Sequence, residues 1–358
     1  MRNPGKDENG ERKNSAFMKT ESIATEPIRT SPPCPPESSP DKKACFQRIL
    51  VPTDFSAPSM KALHYAKALA GGAIQLLHVA EPLAGLVGVE PGPGIPSDDE
   101  TVANLVAELE KIAEGQRVAN LPITSTVRLG QPAVEIVELA AAWPADLLVL
   151  STHGRTGLRH LLLGSVAEKV LRHTTCPVLV LRKHEQDFVP AHPGRLPEPV
   201  KPVIQRILVP TDFSARSREA IRFACQFAER FGGKITLFHA VHISGPFGTS
   251  EFPGMDAAPI VSAANNHANA EIHQLLEQAV PAALADRAIV REGPPLEEIP
   301  KLVLEGKYDL IICATHSLAS LRHALLGSTA EGLVRHAFCP VLVVPVGKDE
   351  FSCPASES

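Results

Sequence analysis

Short apolar blocks and longer amphipathic blocks follow one another in strict alternation along the first half of this chain. Continuous apolar runs bounded by Gly, Pro or polar residues are typical of strands that are buried on both faces of a parallel sheet. Such runs lie at Arg48–Val51, Ile74–Val79, Ile123–Leu129, Leu147–Leu150 and Val178–Leu181. The segments between them are predicted as helices at Pro58–Ala70, Ser97–Ile112, Ala133–Ala142 and Ser165–His173. This order predicts an α/β domain with helices on both faces of a parallel sheet.

The whole pattern occurs twice. The segment RILVPTDFS at Arg48–Ser56 returns letter for letter at Arg206–Ser214. A repeat of this length indicates one fold duplicated in tandem. The second copy has three more residues between Asp212 and His239 than the first has in the equivalent stretch, so the first copy is expected to be shorter near Ala70.

Local composition divides the chain into five parts. A polar, Pro/Ser-rich start without apolar blocks is typical of disorder, and a run of prolines among charged residues is typical of a linker between domains. The predicted parts are a disordered tail at 1–44, a first domain at 45–183, a Pro-rich linker at 184–204, a second domain at 205–347 and a disordered tail at 348–358.

Charge and cysteine content exclude several classes of protein. A net charge of −5 gives no electrostatic footprint for nucleic acid. No apolar run has the length of a membrane span or the form of a secretory signal. Seven scattered cysteines are typical of reduced thiols, so a cytoplasmic protein is expected. The histidines have no metal-ligand spacing, and no metal site of the protein's own is predicted.

Candidate site residues follow from where ligands bind in such sheets. Ligands lie beyond the carboxyl ends of the strands, where this chain has Asp54, Val79 and Ser151. Gly164 and Ser165 then begin a helix. The first N–H groups of a helix have no partner within it and lie at the positive end of its dipole, which favours a phosphate.

These motifs resemble the universal stress protein (UspA-type) family, and the chain is similar to a tandem two-domain member. The resemblance rests on the repeated ILVPTDFS, on the His-Val pair that ends the second strand, and on the glycine pattern between the fourth strand and the fourth helix. It implies a Rossmann-like fold with a five-stranded parallel sheet of order 3-2-1-4-5. It also implies that the protein binds ATP together with Mg²⁺.

The resemblance assigns roles in the first copy. Asp54 would bind the ribose or the adenine, the backbone of Val79 would bind the adenine edge, and the glycine loop and the start of the helix would hold the phosphates. The predicted nucleotide-binding residues are Pro52, Thr53, Asp54, Val79, Ser151, Gly154, Gly157, Gly164, Ser165 and Val166. Ser151 stands where the family pattern has its first Gly.

The second copy departs further from the family pattern. Asp212, Gly327 and Ser328 are present and predict a weaker second site. However, Ala314 and Ser317 replace the first two glycines of the pattern. A Cβ at such a position can block the close approach of a phosphate. We therefore expect nucleotide mainly in the first copy. A further change, Ala240 in place of Val79, points the same way.

Two main hypotheses of function remain open at this stage. The favoured one is an ATP-binding stress-response protein that senses or regulates, with slow hydrolysis or none, because no Walker-type lysine follows the glycines and no catalytic residue is predicted. The alternative is a nucleotide-independent interaction module built as a pseudo-dimer. Adenylyl or phosphoryl transfer is the least favoured.

The last strand of each copy predicts how the copies meet. Val178–Leu181 and Val341–Val344 are apolar and lie at the sheet edge in the family's strand order. An apolar edge favours pairing with another strand, and a pseudo-twofold relation makes that pairing antiparallel. Intramolecular pairing of the two domains is therefore expected, and association into a homodimer of chains is left open.

Overall fold

The computed structural model describes residues 46–81, 98–117, 120–152, 163–182, 187–190, 201–242, 258–315 and 326–345. Its strands are β1 (Phe46–Pro52), β2 (Ala70–Ala80), β3 (Ile123–Leu129), β4 (Leu147–Ser151), β5 (Val178–Leu181), β6 (Arg206–Pro210), β7 (Lys234–Val241), β8 (Ala285–Glu292), β9 (Leu310–Ala314) and β10 (Val341–Val344). Its helices are α1 (Ala57–Leu69), α2 (Asp98–Gly115), α3 (Pro132–Ala142), α4 (Ser165–His173), α5 (Ala215–Phe231), α6 (Ala258–Ala279), α7 (Pro295–Gly306) and α8 (Ser328–His336).

Every strand and helix predicted for the first copy is confirmed. The largest difference is in β2, which begins at Ala70 and not at Ile74. The first copy has a 13-residue α1 that passes directly into β2, whereas α5 has 17 residues and is followed by Gly232 at φ +88°. The shortening expected near Ala70 thus removes the last turn of the helix and its glycine C-cap.

The described strands form one sheet of ten, in the order β3-β2-β1-β4-β5-β10-β9-β6-β7-β8. Each half has the predicted order 3-2-1-4-5, and all pairs within a half are parallel. The halves join through β5 and β10, which pair antiparallel with Leu179 opposite Leu342. The predicted intramolecular pairing is confirmed.

The seam between the copies is the β5–β10 pair. Pro177 and Leu181 accept hydrogen bonds at their carbonyls from β4 and the residue that follows it. Backbone groups alternate in direction along a strand, so Leu179 also faces β4, while Val178 and Val180 turn their N–H and C=O groups towards β10. The interdomain hydrogen bonds therefore belong to these two valines.

Strand β10 mirrors this arrangement. Pro340 and Val344 accept hydrogen bonds on the side of β9, so Val341 and Val343 face β5. Their register partners across the seam are Val180 and Val178. Both pairs are thus hydrogen-bonded pairs, in which the two opposite residues exchange both N–H···O bonds.

Two hydrophobic cores cover the faces of this sheet, and each one includes residues from both copies. One core lies under α1, α2, α5 and α6, and it contains Leu179 and Leu342 side by side. The other lies under α3, α4, α7 and α8, and it contains Val180 and Val341. Because the seam side chains are at most 1% exposed, separating the copies would expose apolar surface on both faces.

An aromatic group reinforces the contact between the copies. Phe46, the first residue of β1, lies with its ring centroid 6.2 to 6.4 Å from those of Phe223, Phe227 and Phe231 on α5. Aromatic pairs at such distances stabilise a core beyond their buried area.

Part of the predicted linker packs against the first domain. Phe188 and Val189 are each only 1% exposed, and the ring of Phe188 meets Tyr65 of α1 edge to face at 4.8 Å. The Val203 N–H donates to the carbonyl of Phe188 at 2.7 Å. Phe188 and Val189 are thus part of the hydrophobic core. The rest of the predicted linker between 183 and 200, and both predicted tails, lie outside the described residues.

No helix in the described ranges combines the length and the apolar character needed to cross a bilayer.

The buried seam leads to a prediction for hydrogen exchange. The amides of Val180 and Val341, which bond across the seam, should exchange within about tenfold of the rates of Leu179 and Leu342, which bond inside their own copies, because both sets open only when the core opens. Two-dimensional NMR after transfer to deuterated buffer measures all four. Exchange at Val180 and Val341 that is faster by about a hundredfold or more would mean that the copies separate without unfolding.

Candidate functional site

The predicted site of the first copy lies at the carboxyl ends of β1, β2 and β4 and at the start of α4. A tight turn follows β1 and fixes the first group. Thr53 is 7% exposed, and its hydroxyl lies 2.9 Å from the Ser59 hydroxyl and accepts the Phe55 N–H at 3.0 Å. Asp54 Oδ1 accepts from the Ser56 N–H at 3.1 Å and from the Ser56 hydroxyl at 2.5 Å. Ser56 is the predicted N-cap of α1.

This turn contains a strained residue. Phe55 has φ +64°, a left-handed conformation that costs an L-residue about 1–2 kcal/mol. Its ring packs on His78 with 4.5 Å between centroids, and His78 Nδ1 lies 2.7 Å from the Thr53 carbonyl. A carbonyl only accepts, so Nδ1 donates. The histidine therefore connects the end of β2 to the turn that orients Asp54.

The second copy reproduces the turn in detail. Phe213 has φ +62° and packs on His239 with 4.4 Å between centroids. His239 Nδ1 lies 2.8 Å from the Thr211 carbonyl, and Asp212 Oδ1 accepts from the Ser214 N–H and hydroxyl at 3.2 and 2.5 Å. Strain that is kept in both copies is typical of a functional position.

Backbone direction decides what Val79 offers. The Leu77 carbonyl accepts from Thr53 N–H on the side of β1, whereas the Ala80 carbonyl accepts from Gly130 N–H on the side of β3. By alternation, the N–H and C=O of Val79 point to the side of β1, beyond the point where β1 ends. These groups face the gap next to Asp54.

Gly164 closes the loop between β4 and α4. Its N–H donates to the Thr152 carbonyl at 3.1 Å, and Gly327 donates to Thr315 at 2.7 Å in the second copy. A Cβ added to Gly164 would lie 2.8 Å from that same Thr152 oxygen. The first role of this glycine is therefore close packing against Thr152, whereas the sequence suggested only room for a phosphate.

Three further predicted residues lie at the end of β4 and at the start of α4. Ser151 ends β4 and is half-buried, Ser165 is exposed at the first position of α4, and Val166 is half-buried behind it. Gly164, the N-cap residue, makes no side-chain cap, so the first N–H groups of α4 face outward. Gly154 and Gly157 lie outside the described residues, as does Ser317 of the second copy.

A cavity of about 110 Å³ lies at the predicted site of the second copy. It is bounded by the turn after β6, by the ends of β7 and β9 and by the starts of α7 and α8. Among its lining residues are Asp212, Ala240, Cys313 and Gly327. Burial raises the pKa of the Cys313 thiol to about 12, so this side chain stays neutral.

Two residues that line this cavity have smaller side chains than their counterparts in the first copy. Ala240 stands where the first copy has Val79, and Cys313 stands where it has Leu150. Ala240 also directs its backbone groups towards the side of β6, because the Phe238 carbonyl two residues earlier accepts from Thr211 N–H on that side. The backbone contact predicted for Val79 is therefore available in both copies.

Sequence reasoning missed three supporting residues of the site. His78, Phe55 and Ser59 hold the turn that carries Asp54, yet none was a candidate. Their signal was the repeat itself, since His239, Phe213 and Ser217 are the same residues in the second copy.

Metal-ligand chemistry was also compared with the site. Within the described ranges, no group of three or more His, Cys, Asp or Glu side chains is arranged to hold a metal ion. Mg²⁺ is commonly bound through one or two carboxylates together with substrate phosphates. Asp54 carries a carboxylate at this edge of the sheet, so a magnesium ion here would depend on a phosphate ligand.

The glycine contact gives a prediction for stability. Gly164→Val should lower the free energy of unfolding by about 1–3 kcal/mol, because the new Cβ overlaps a backbone oxygen. Ser165→Val, at the neighbouring exposed position, is the control and should change stability by about 0.5 kcal/mol or less. Urea unfolding followed by circular dichroism measures both. Equal stabilities of the two variants would contradict the packing role of Gly164.

Known proteins are similar to this chain over both copies. The universal stress protein family model matches residues 46–182 and again residues 204–345. A universal stress protein of Methanocaldococcus jannaschii is 34% identical over 152 residues, which cover 40% of this chain and 85% of the relative. A universal stress protein of Mycobacterium tuberculosis is 28% identical over 256 residues, which cover 70% of this chain and 78% of the relative.

A solved structure agrees with the fold. The crystal structure of a universal stress protein from Archaeoglobus fulgidus matches 85% of this chain and 97% of its own, with a TM-score of 0.58 and 24% identity. The family model matches well over half of the residues, in two successive segments that correspond to the two copies. The chain belongs to the universal stress protein family, with two such domains in tandem.

Proposed function

We propose that this protein binds ATP together with Mg²⁺ in its first domain, and that the bound nucleotide serves sensing or regulation and not rapid hydrolysis. The observation that carries the proposal is the convergence of three kinds of group on one edge of the sheet. These are the carboxylate of Asp54, the outward backbone of Val79 and the first N–H groups of α4. A carboxylate suits ribose hydroxyls, a strand backbone suits the adenine edge, and a helix start suits phosphate.

The hydrogen bonds inside the site favour binding over catalysis. His78 uses Nδ1 on the Thr53 carbonyl, and Asp54 uses Oδ1 on Ser56. A general base must be within reach of the proton that it removes and have a pKa suited to the task. Both side chains hold the strained turn that orients the site, and this contact is a positioning role. This argument supports a regulatory role, with slow hydrolysis or none.

Asp54 gives a direct test of ATP binding. Asp54→Ala should weaken Mg·ATP binding by about tenfold to a hundredfold, since a hydrogen bond to a charged group contributes about 1.5–3 kcal/mol. The matched control is Ser56→Ala. It removes the same Ser56–Asp54 hydroxyl contact and the cap of α1, but it keeps the carboxylate. Isothermal titration calorimetry with wild-type protein and both variants measures the affinities.

Three outcomes separate the hypotheses. Loss of affinity in Asp54→Ala with near-normal binding in Ser56→Ala supports the ribose contact. Equal losses in both variants would mean that Asp54 acts only through the turn. Absence of binding in the wild-type protein at millimolar nucleotide would overturn the proposal. The interaction module would then remain, and its supporting feature is the hydrophobic core shared by the two domains.

The glycine replacements favour a different ligand preference in the second domain. Two cavities meet at the end of β7, one of about 110 Å³ and one of about 380 Å³, and His239 and Ala240 line both of them. Ala314 and Ser317 replace glycines on the phosphate side of the family pattern. We infer that this domain accepts adenosine better than ATP, which keeps ATP mainly in the first domain.

This asymmetry has a measurable consequence. Asp212→Ala should leave Mg·ATP binding within about twofold of wild type, while it weakens adenosine binding by about tenfold, because the second domain contributes mostly to the latter. Asp54→Ala should show the opposite pattern. Titrating each variant with Mg·ATP and with adenosine gives four affinities. If both variants lost the same factor of affinity for both ligands, the two sites would not be unequal.

A further inference from the structure

A four-residue ion network joins α4 of the first domain to α8 of the second. Arg172 lies 2.8 Å from Glu168 on its own helix, and Arg335 lies 2.7 Å from Glu331 on its own. Each arginine also reaches the other helix, with Arg335 3.5 Å from Glu168 and Arg172 3.6 Å from Glu331. The network therefore has the same pseudo-twofold symmetry as the sheet.

The network is shielded from solvent. Its four side chains are between 22% and 30% exposed, and Arg335 Nε is buried without a hydrogen-bond partner in the described part of the chain. Ion pairs that are partly buried are screened by salt much less than exposed ones. The charges of this network therefore act on nearby charged groups with little screening by salt.

The position of Glu168 makes that action specific. It lies in the first turn of α4, while the N–H groups proposed to hold phosphates belong to Ser165 and Val166 at the start of the same helix. An α-helix rises about 1.5 Å per residue, so the backbone of Glu168 lies about 4.5 Å along the axis from that of Ser165. That separation is shorter than the Debye length of about 8 Å at physiological salt. Without one of its arginines the four-residue network would carry a net negative charge, which would repel a phosphate.

We propose that Arg335 of the second domain completes the phosphate site of the first domain by balancing, together with Arg172, the negative charges of Glu168 and Glu331, and that Arg172 serves the second domain in the same way. Arg335 is a positioning residue in this scheme, since it acts through Glu168 and touches no ligand. The affinity of each site for phosphate then depends on the contact between the domains. This inference rests on the function proposed above.

A purely structural role of the network predicts something different. If the arginines only held the two helices together, their loss would weaken adenosine and ATP alike, or would change stability alone. Electrostatic action at the phosphates predicts a loss confined to the charged ligand. Adenosine is the neutral probe that separates the two cases.

The test uses the full chain with Asp212→Ala, so that binding is measured at the first domain. Arg335→Gln should weaken Mg·ATP binding by about threefold to tenfold and adenosine binding by less than about twofold, as expected for one added negative charge near a polyanion. Arg335→Lys keeps the charge and should stay near the parent value. Glu168→Gln combined with Arg335→Gln should restore ATP affinity. Arg222→Gln, which breaks an exposed ion pair on α5, is the control.

A second variant guards against misfolding of Arg335→Gln. Glu168→Gln alone keeps both arginines and should strengthen Mg·ATP binding by about twofold to threefold with no change for adenosine. Three results would overturn the inference while the proposed function stands. They are unchanged ATP affinity in Arg335→Gln, equal losses of ATP and adenosine affinity in that variant, and no recovery of ATP affinity when Glu168→Gln is added to it. A parent chain that binds neither ligand would overturn both.

Discussion

The antiparallel pairing of β5 with β10 is the contact on which the rest of the molecule depends. A parallel sheet of five strands leaves an apolar edge that is liable to pair with other chains. Here the two copies close that edge against each other through Val178, Val180, Val341 and Val343. The closure does more than bury an edge, because it makes the hydrophobic core on each face continuous between the copies. The domains are consequently halves of one folded body.

The alternation of apolar and amphipathic blocks was enough to predict the α/β class and the strands and helices of the first copy. Strand order, element bounds and the antiparallel seam all follow from it together with the repeat and the family resemblance. The main deviation, the early start of β2, has a local cause: α1 is short and lacks the Gly232 type of C-cap. The packing of Phe188 onto Tyr65 could not be predicted, since two apolar residues within a Pro-rich stretch have no periodicity that indicates a partner.

The candidate site was only partly predictable for a different reason. Spacing identifies which residues follow each strand, but it does not give backbone direction or contacts. The outward groups of Val79, the left-handed Phe55 and the closeness of Gly164 to the Thr152 oxygen are tertiary facts. The replacement of Val79 by Ala240 shows the consequence. As a sequence difference it indicated loss of a contact, whereas in the structure it keeps the backbone groups and lines a cavity.

Duplication within one chain gives the seam a property that two separate identical subunits would lack. In a symmetric pair, any change in the network of Glu168, Arg172, Glu331 and Arg335 would alter both sites equally. In a tandem chain each site can change alone while the partner helix continues to supply its arginine. The unequal glycine patterns of the two copies fit this freedom. Under the proposed scheme, a second domain whose pattern lacks two glycines still supplies Arg335, so its α8 would serve the first site whatever ligand its own cavity accepts.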